Sequence, residues 1–167
     1  MKLVGIDIAK YKHAAFIMDA STGESLCDPF LFKNNKDGFQ KFYDELNKYT
    51  QDELLIGMED TGHYNFAIES CLLAKGYKVA LINPITTKNL RKASLKTVKS
   101  DKEDAILITK ALLDKDYYRI ISIQDEKLKE AKELTRYRTQ LTIEMNRKKN
   151  ILQRHIDIVF AEFNTLF

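Results

Sequence analysis

The last part of the chain withdraws itself from the residues available to build a core. From residue 125 to residue 163 there is no glycine and no proline, and the residues favour helix throughout. At 1.5 Å per residue one uninterrupted helix over that stretch runs roughly 58 Å, much longer than the domain it leaves. Leu128, Ala131, Leu134, Leu141, Met145, Leu152, Ile156, Val159 and Phe163 form an apolar stripe along it, interrupted by Arg138 and Lys149. A long helix with one stripe and no domain of its own needs a partner, so residues 121–167 read as a coiled-coil arm that assembles the chain into a dimer or higher homo-oligomer. The competing arrangement folds this helix back onto the core. Phe160, Phe163, Leu166 and Phe167 crowd the C-terminus without a stop signal, and a further segment is expected to cover them.

The fold proper therefore belongs to residues 1–120. Residues 3–8, Leu-Val-Gly-Ile-Asp-Ile, make a short apolar run rich in β-branched side chains, the pattern of a strand covered on both faces. Residues 13–19 and 24–32 flank the turn chemistry of Ala20-Ser21-Thr22-Gly23 and predict two more strands in an antiparallel meander. Residues 37–49 carry Phe39, Phe42, Tyr43 and Leu46 at helical spacing, with Asn34 or Asn35 as the cap. Residues 53–59 return as a strand, 63–74 as a helix closed by Gly76, and 77–82 as another strand, whose end is broken by Asn83-Pro84. Crossovers through helices imply parallel pairing of the later strands. Ser100, with Glu103 three residues on, has the capping-box pattern for a helix reaching about residue 114. The sum is a mixed α/β sheet with flanking helices.

Asp7 is the anomaly in the first strand, because a buried carboxylate needs donors, a cation or a cleft. Capping of the next turn is the plainer role for a lone Asp. In a sheet of this order, however, residues 53–59 neighbour the first strand, so Asp7 and Glu59 emerge together at the carboxyl-end crevice where open α/β sheets bind ligands. Strand alternation allows only one of Glu59 and Asp60 to point inward, and the spacing alone leaves that choice open. Asp101 and Asp104, three apart on one helix, share a face, while Glu103 points elsewhere. Four converging carboxylates repel one another unless cations neutralise them. Hard divalent ions with oxygen ligands do this, and a pair of Mg²⁺ ions suits phosphoryl transfer on nucleic acid.

A net charge of +3 is too small to argue nucleic-acid binding, but the charge is unevenly placed. Lys88, Arg91, Lys92, Lys96, Lys99 and Lys102 face a single acid, Asp101, and Arg136, Arg138, Arg147, Lys148, Lys149 and Arg154 face only Glu144. The bland account of each patch is a solvated helix face. Cys27 and Cys71 are not in a CxxC pair and sit in apolar sequence, which predicts reduced structural thiols and argues against zinc. No apolar run approaches the roughly 20 residues of a membrane span, and no leader pattern opens the chain, so a cytoplasmic protein without membrane contact is expected.

Four segments carry a family resemblance. Gly5-Ile6-Asp7-Ile8-Ala9-Lys10, Met58-Glu59-Asp60-Thr61-Gly62-His63-Tyr64, Ile82-Asn83-Pro84 and Lys99-Ser100-Asp101-Lys102-Glu103-Asp104-Ala105 resemble the successive motifs of the DEDD transposases. These are insertion-sequence recombinases with a RuvC-like, ribonuclease H-type catalytic domain, related to the Piv invertases. The resemblance covers about the first 115 residues in order, and the long helix is similar to the family's coiled-coil region. It implies a ribonuclease H-like domain over residues 1–120 and a catalytic, metal-holding set of Asp7, Glu59, Asp101 and Asp104, choosing Glu59 over Asp60. It also implies Mg²⁺, with Mn²⁺ as a substitute, metal-dependent cleavage and rejoining of DNA, and in some members a structured guide RNA. Lys10, Lys88, Arg91, Lys92, Lys96, Lys99, Arg147, Lys148, Lys149 and Arg154 are then the expected nucleic-acid contacts. Family members of this kind are bacterial or archaeal and nucleoid-associated. In those members a serine of a separate C-terminal domain is the nucleophile. None of the serines here takes that role, so the recombination chemistry of these residues is expected to be incomplete.

Other chemistries fit less well. His13, His63 and His155 are scattered and read as packed or surface residues, His63 being the one near the cleft. The turn Asp7-Ile8-Ala9-Lys10 lacks the glycine and hydroxyl groups of an actin-like sugar kinase, and no P-loop, dinucleotide fingerprint or GxSxG elbow is present. The alternative to a catalytic domain is a binding and dimerisation module of a truncated transposase, with basic patches on nucleic acid and no chemistry of its own.

Overall fold

A computed structural model of the chain describes residues 1–60, 64–93 and 100–163. Two compact units are present, Met1–Ile123 and Gln124–Phe167. The first holds a six-stranded sheet of β1 (Lys2–Asp7), β2 (Lys12–Asp19), β3 (Phe30–Lys33), β4 (Leu54–Glu59), β5 (Lys78–Ile82) and β6 (Tyr118–Ile121), in the order β3-β2-β1-β4-β5-β6. β1, β2 and β3 form the antiparallel meander; β1, β4 and β5 run parallel; β6 returns antiparallel to β5. An antiparallel meander continued by parallel strands at β1 is the ribonuclease H-like arrangement.

The helices are α1 (Lys36–Leu46), α2 (Phe66–Ala74), α3 (Pro84–Ala93), α4 (Asp101–Ala111) and α5 (Ile123–Val159). Strand alternation sorts the sheet into two cores. Val4, Ile6, Ile17, Ile56 and Met58 join Phe42 and Leu46 of α1 and Ile68 and Leu72 of α2 on one face. Leu3, Phe16, Met18, Leu55, Ala80 and Ile82 join Ala105 and Ile108 of α4 and Leu112 at its C-cap on the other. α1 starts where the Asn35 side chain accepts from the Gly38 N–H, and α2 ends at Gly76, whose φ of +82° only glycine adopts without strain.

Two glycines seat α4. Gly5 and Gly57 are partners across β1 and β4. A Cβ on Gly5 would lie 2.3 Å from Thr109 Oγ1 and 2.5 Å from the Ala105 carbonyl oxygen, and one on Gly57 would meet the Leu112 side chain at 2.6 Å. The bare backbone is therefore a notch into which α4 settles. Thr109 fits there because its hydroxyl donates to Ala105 O at 2.7 Å within its own helix.

Several expected elements are adjusted. The third strand was expected over 24–32 but pairs only from Phe30, with a single bridge between Met18 and Ser25 before it. Asn83-Pro84 does end β5, but it also opens α3: Asn83 Oδ1 accepts from the Ile85 N–H at 2.9 Å, and the proline occupies a first-turn position that needs no donor. β6 was not anticipated. Cys27 is half-buried, whereas Cys71 is exposed on α2 rather than packed. Among the described residues no helix is long and apolar enough to cross a membrane.

Candidate metal centre and nucleic-acid surfaces

The parallel strands end together, and their last residues define the site. β1 finishes on Asp7 and β4 on Glu59, one residue beyond the Ile6–Met58 pair. Leu3 and Leu55 face α4 and Gly5 and Gly57 lie beneath it, so alternation puts Asp7 and Glu59 on that face also. Asp60 points away and lies 3.9 Å from Arg119 of β6, while its N–H donates to Ile82 O. Glu59 therefore lies on the α4 face beside Asp7, and Asp60 lies toward β6.

α4 brings the other two acids. Ser100 caps it, its hydroxyl accepting from the Glu103 N–H at 3.2 Å, and the helix places Asp101 and Asp104 in its first turn. Residues 101 and 104 are half-buried, in register with the fully buried Ala105 and Ile108. Lys12, opening β2, has its Nζ 3.3 Å from Asp101 Oδ2, both side chains being about half exposed.

α3 supplies the partners of the remaining carboxylates. Thr87, 2% exposed, donates its hydroxyl to Glu59 Oε1, and Arg91 pairs through Nη2 with Asp104 Oδ1. Four residues apart, Thr87 and Arg91 share one face of the helix. Neither partnership was anticipated from the sequence: Arg91 stood among the nucleic-acid contacts and Thr87 was not singled out. The signal that could have found them is the Asn-Pro helix start, which puts both side chains on the inward face.

The electrostatics reflect this convergence. Burial first, then the charges of Asp104, Asp101 and Glu59, push the Asp7 carboxyl from 3.8 up to about 6, with Arg91 opposing the rise. The donor set is all carboxylate, the chemistry of a hard divalent cation, and its repulsion is what such a cation relieves. Among the described residues no three such groups are drawn close enough to hold a metal ion; Glu59 accepts from Thr87 and Asp104 from Arg91. The residues fit such an ion in kind and charge.

His13 is buried on β2, its Nδ1 accepting from the Ala9 N–H at 3.3 Å and its ring stacked on Phe39. It is a packed residue, as expected, and His155 is exposed on α5. Lys10, Lys88 and Lys92 are exposed. Lys96, Lys99 and His63 lie outside the described residues. In the second unit Arg147, Lys148, Lys149 and Arg154 are all exposed. Leu134, Tyr137, Arg138, Leu141, Thr142 and Met145 line a shallow apolar patch on α5.

The sequence matches the profile of the DEDD transposases of the IS110 type, described as "Transposase", over residues 4–161. The chain belongs to the DEDD transposase family. It is also 28% identical over 109 residues to pilin gene-inverting proteins of Moraxella bovis and Moraxella lacunata, a span of 64% of this chain and 33% of each relative. The chain thus spans about a third of the length of these curated relatives. Membership of the DEDD transposase family accounts for the motif order and for the ribonuclease H-like sheet.

Proposed function

We propose that residues 1–120 form the catalytic domain of a DNA transposase, in which Asp7, Glu59, Asp101 and Asp104 hold Mg²⁺, or Mn²⁺ in its place, for strand cleavage and exchange. The observation that carries this reading is that β1, β4 and α4 bring Asp7, Glu59, Asp101 and Asp104 to one end of the sheet, where burial first and the other three acids second raise the Asp7 carboxyl. Bound there, the metal supplies Lewis acidity at a scissile phosphate and offsets the charge that develops on it. Family membership and the inverting activity in the relatives' names support DNA as the substrate.

The chain's own residues do the positioning. Asp7, on the rigid central strand, fixes one ligand. Thr87 orients Glu59 by its hydrogen bond, and Arg91 neutralises Asp104 while no metal is present. Lys10, Lys88 and Lys92 stand exposed on the same unit and attract the phosphate backbone. On α5, Arg147, Lys148, Lys149 and Arg154 take a structured RNA or DNA backbone, and the apolar patch around Leu141 pairs with a second copy.

Mn²⁺ titration of the wild-type chain against Asp7→Asn tests the reading. Binding to the wild type and its loss in the variant is the expected result, and identical behaviour of the two contradicts it. A second reading, a binding and assembly module without chemistry, is favoured by the exposed bases of α5 and by Arg91 standing on an acid of the site. It predicts nucleic-acid binding with no metal bound by either protein.

A further inference from the structure

We propose that Arg91 is the resident counter-charge of the acidic cluster and competes with the divalent cation for Asp104, so that metal loading proceeds by displacement of an internal guanidinium. This rests on the metal-site reading given above and adds a determinant of metal affinity to it. Asp104 is the more enclosed partner of its pair, its side chain 13% exposed, and Arg91 Nη2 meets its Oδ1 directly. A guanidinium does not lose its proton in the accessible pH range, so this positive charge cannot be removed by titration; it has to move.

The arrangement behaves as a clasp. From one face of α3, Thr87 takes Glu59 at the end of β4 and Arg91 takes Asp104 at the start of α4. Two of the four acids are therefore held on α3, with Lys12 on a third, Asp101, at the exposed edge. Asp7, the carboxyl with the three acids as its charged neighbours, feels Arg91 as its offsetting charge. Removal of one partner of an enclosed ion pair leaves the other charge uncompensated, which is costly, so a second cation is the natural replacement for Arg91 at Asp104. The metal-free cluster is stabilised by the same contact that weakens metal binding.

Mn²⁺ titration followed by the electron paramagnetic resonance of the free ion, on wild type and Arg91→Gln, tests this, with thermal melting of both metal-free proteins alongside. Arg91→Gln is expected to bind Mn²⁺ about tenfold more tightly, the effect of removing one nearby competing charge, while melting lower without metal. Equal or weaker binding by Arg91→Gln, with binding by the wild type intact, overturns the competition and leaves the metal site standing. Absence of binding by both proteins overturns the metal site and the competition with it. Should Arg91→Gln fail to fold, the Arg91 guanidinium resonance of the wild type carries the test. It is expected to shift with the midpoint of a titration with diamagnetic Mg²⁺, and an unmoved resonance overturns the inference.

Discussion

Asp7 is where the cost of the site is concentrated. Its carboxyl titrates near 6 in the folded chain against 3.8 for an unperturbed Asp. Between those pH values the folded protein holds a proton that the unfolded chain has released, so metal-free stability falls as pH rises through that window and stays lowered above it. Asp7→Asn is therefore expected to raise metal-free stability by roughly 1–2 kcal/mol near neutral pH, after discounting for partial exposure, with the gain vanishing below about pH 4. Chemical denaturation across that pH range checks it, and an equal effect at both ends contradicts the cause assigned to the shift. Metal affinity should fall as pH drops through the same window, since the ligand is the ionised form. Asp7 was readable from the sequence as an ionisable residue in an apolar run. Thr87 was not, because a threonine in a basic segment has no distinguishing mark until the helix that aims it is known.

At the scale of elements, the docking of α4 on β1 and β4 decides whether the acids meet. Gly5 and Gly57 act here through the space they leave, and a Cβ at Gly5 meets helix backbone that cannot yield. Gly5→Ala is expected to cost about 3 kcal/mol or more and to abolish metal binding by lifting α4. Gly23→Ala, in an open turn at φ +74°, should cost about 1 kcal/mol through backbone strain alone and leave metal binding unchanged. Urea denaturation with a parallel Mn²⁺ titration separates the two. The strong periodicities gave α1, α4, α5 and the central strands, because burial on one stripe or both faces leaves a sequence pattern. α3 was hidden, since Asn-Pro reads equally as a strand stop and a helix start. β6 was hidden because a four-residue edge strand with Arg119 and Ile120 exposed has too little pattern to register.

Across the whole molecule, the proposed nucleic-acid contacts are exposed bases of both units, and the proposed self-association uses the apolar patch of α5. Replacement of Arg147, Lys148 and Lys149 by Ala is expected to weaken binding to structured RNA or DNA uniformly across sequences. The same replacement should lower the slope of log affinity against log salt by up to about 3, one for each phosphate that is no longer neutralised. An unchanged slope, measured by fluorescence anisotropy, contradicts the assignment. Leu141→Asp, in the apolar patch of α5, should shift the chain to monomer in sedimentation equilibrium, and an unchanged mass contradicts pairing through that patch. The order of the four motifs made the family legible from sequence, whereas the pairing of Arg91 with Asp104 becomes legible only once Asn83-Pro84 is read as the start of α3. Everything proposed for the first unit depends on Asp7, Glu59, Asp101 and Asp104 forming one metal site. Anomalous diffraction from crystals of this chain soaked in Mn²⁺ tests it most directly. The expected result is a manganese peak within coordination distance of an Asp7 carboxylate oxygen, shared with at least two of the other three acids. A map with manganese elsewhere, or with none while Arg91 still holds Asp104, would contradict it.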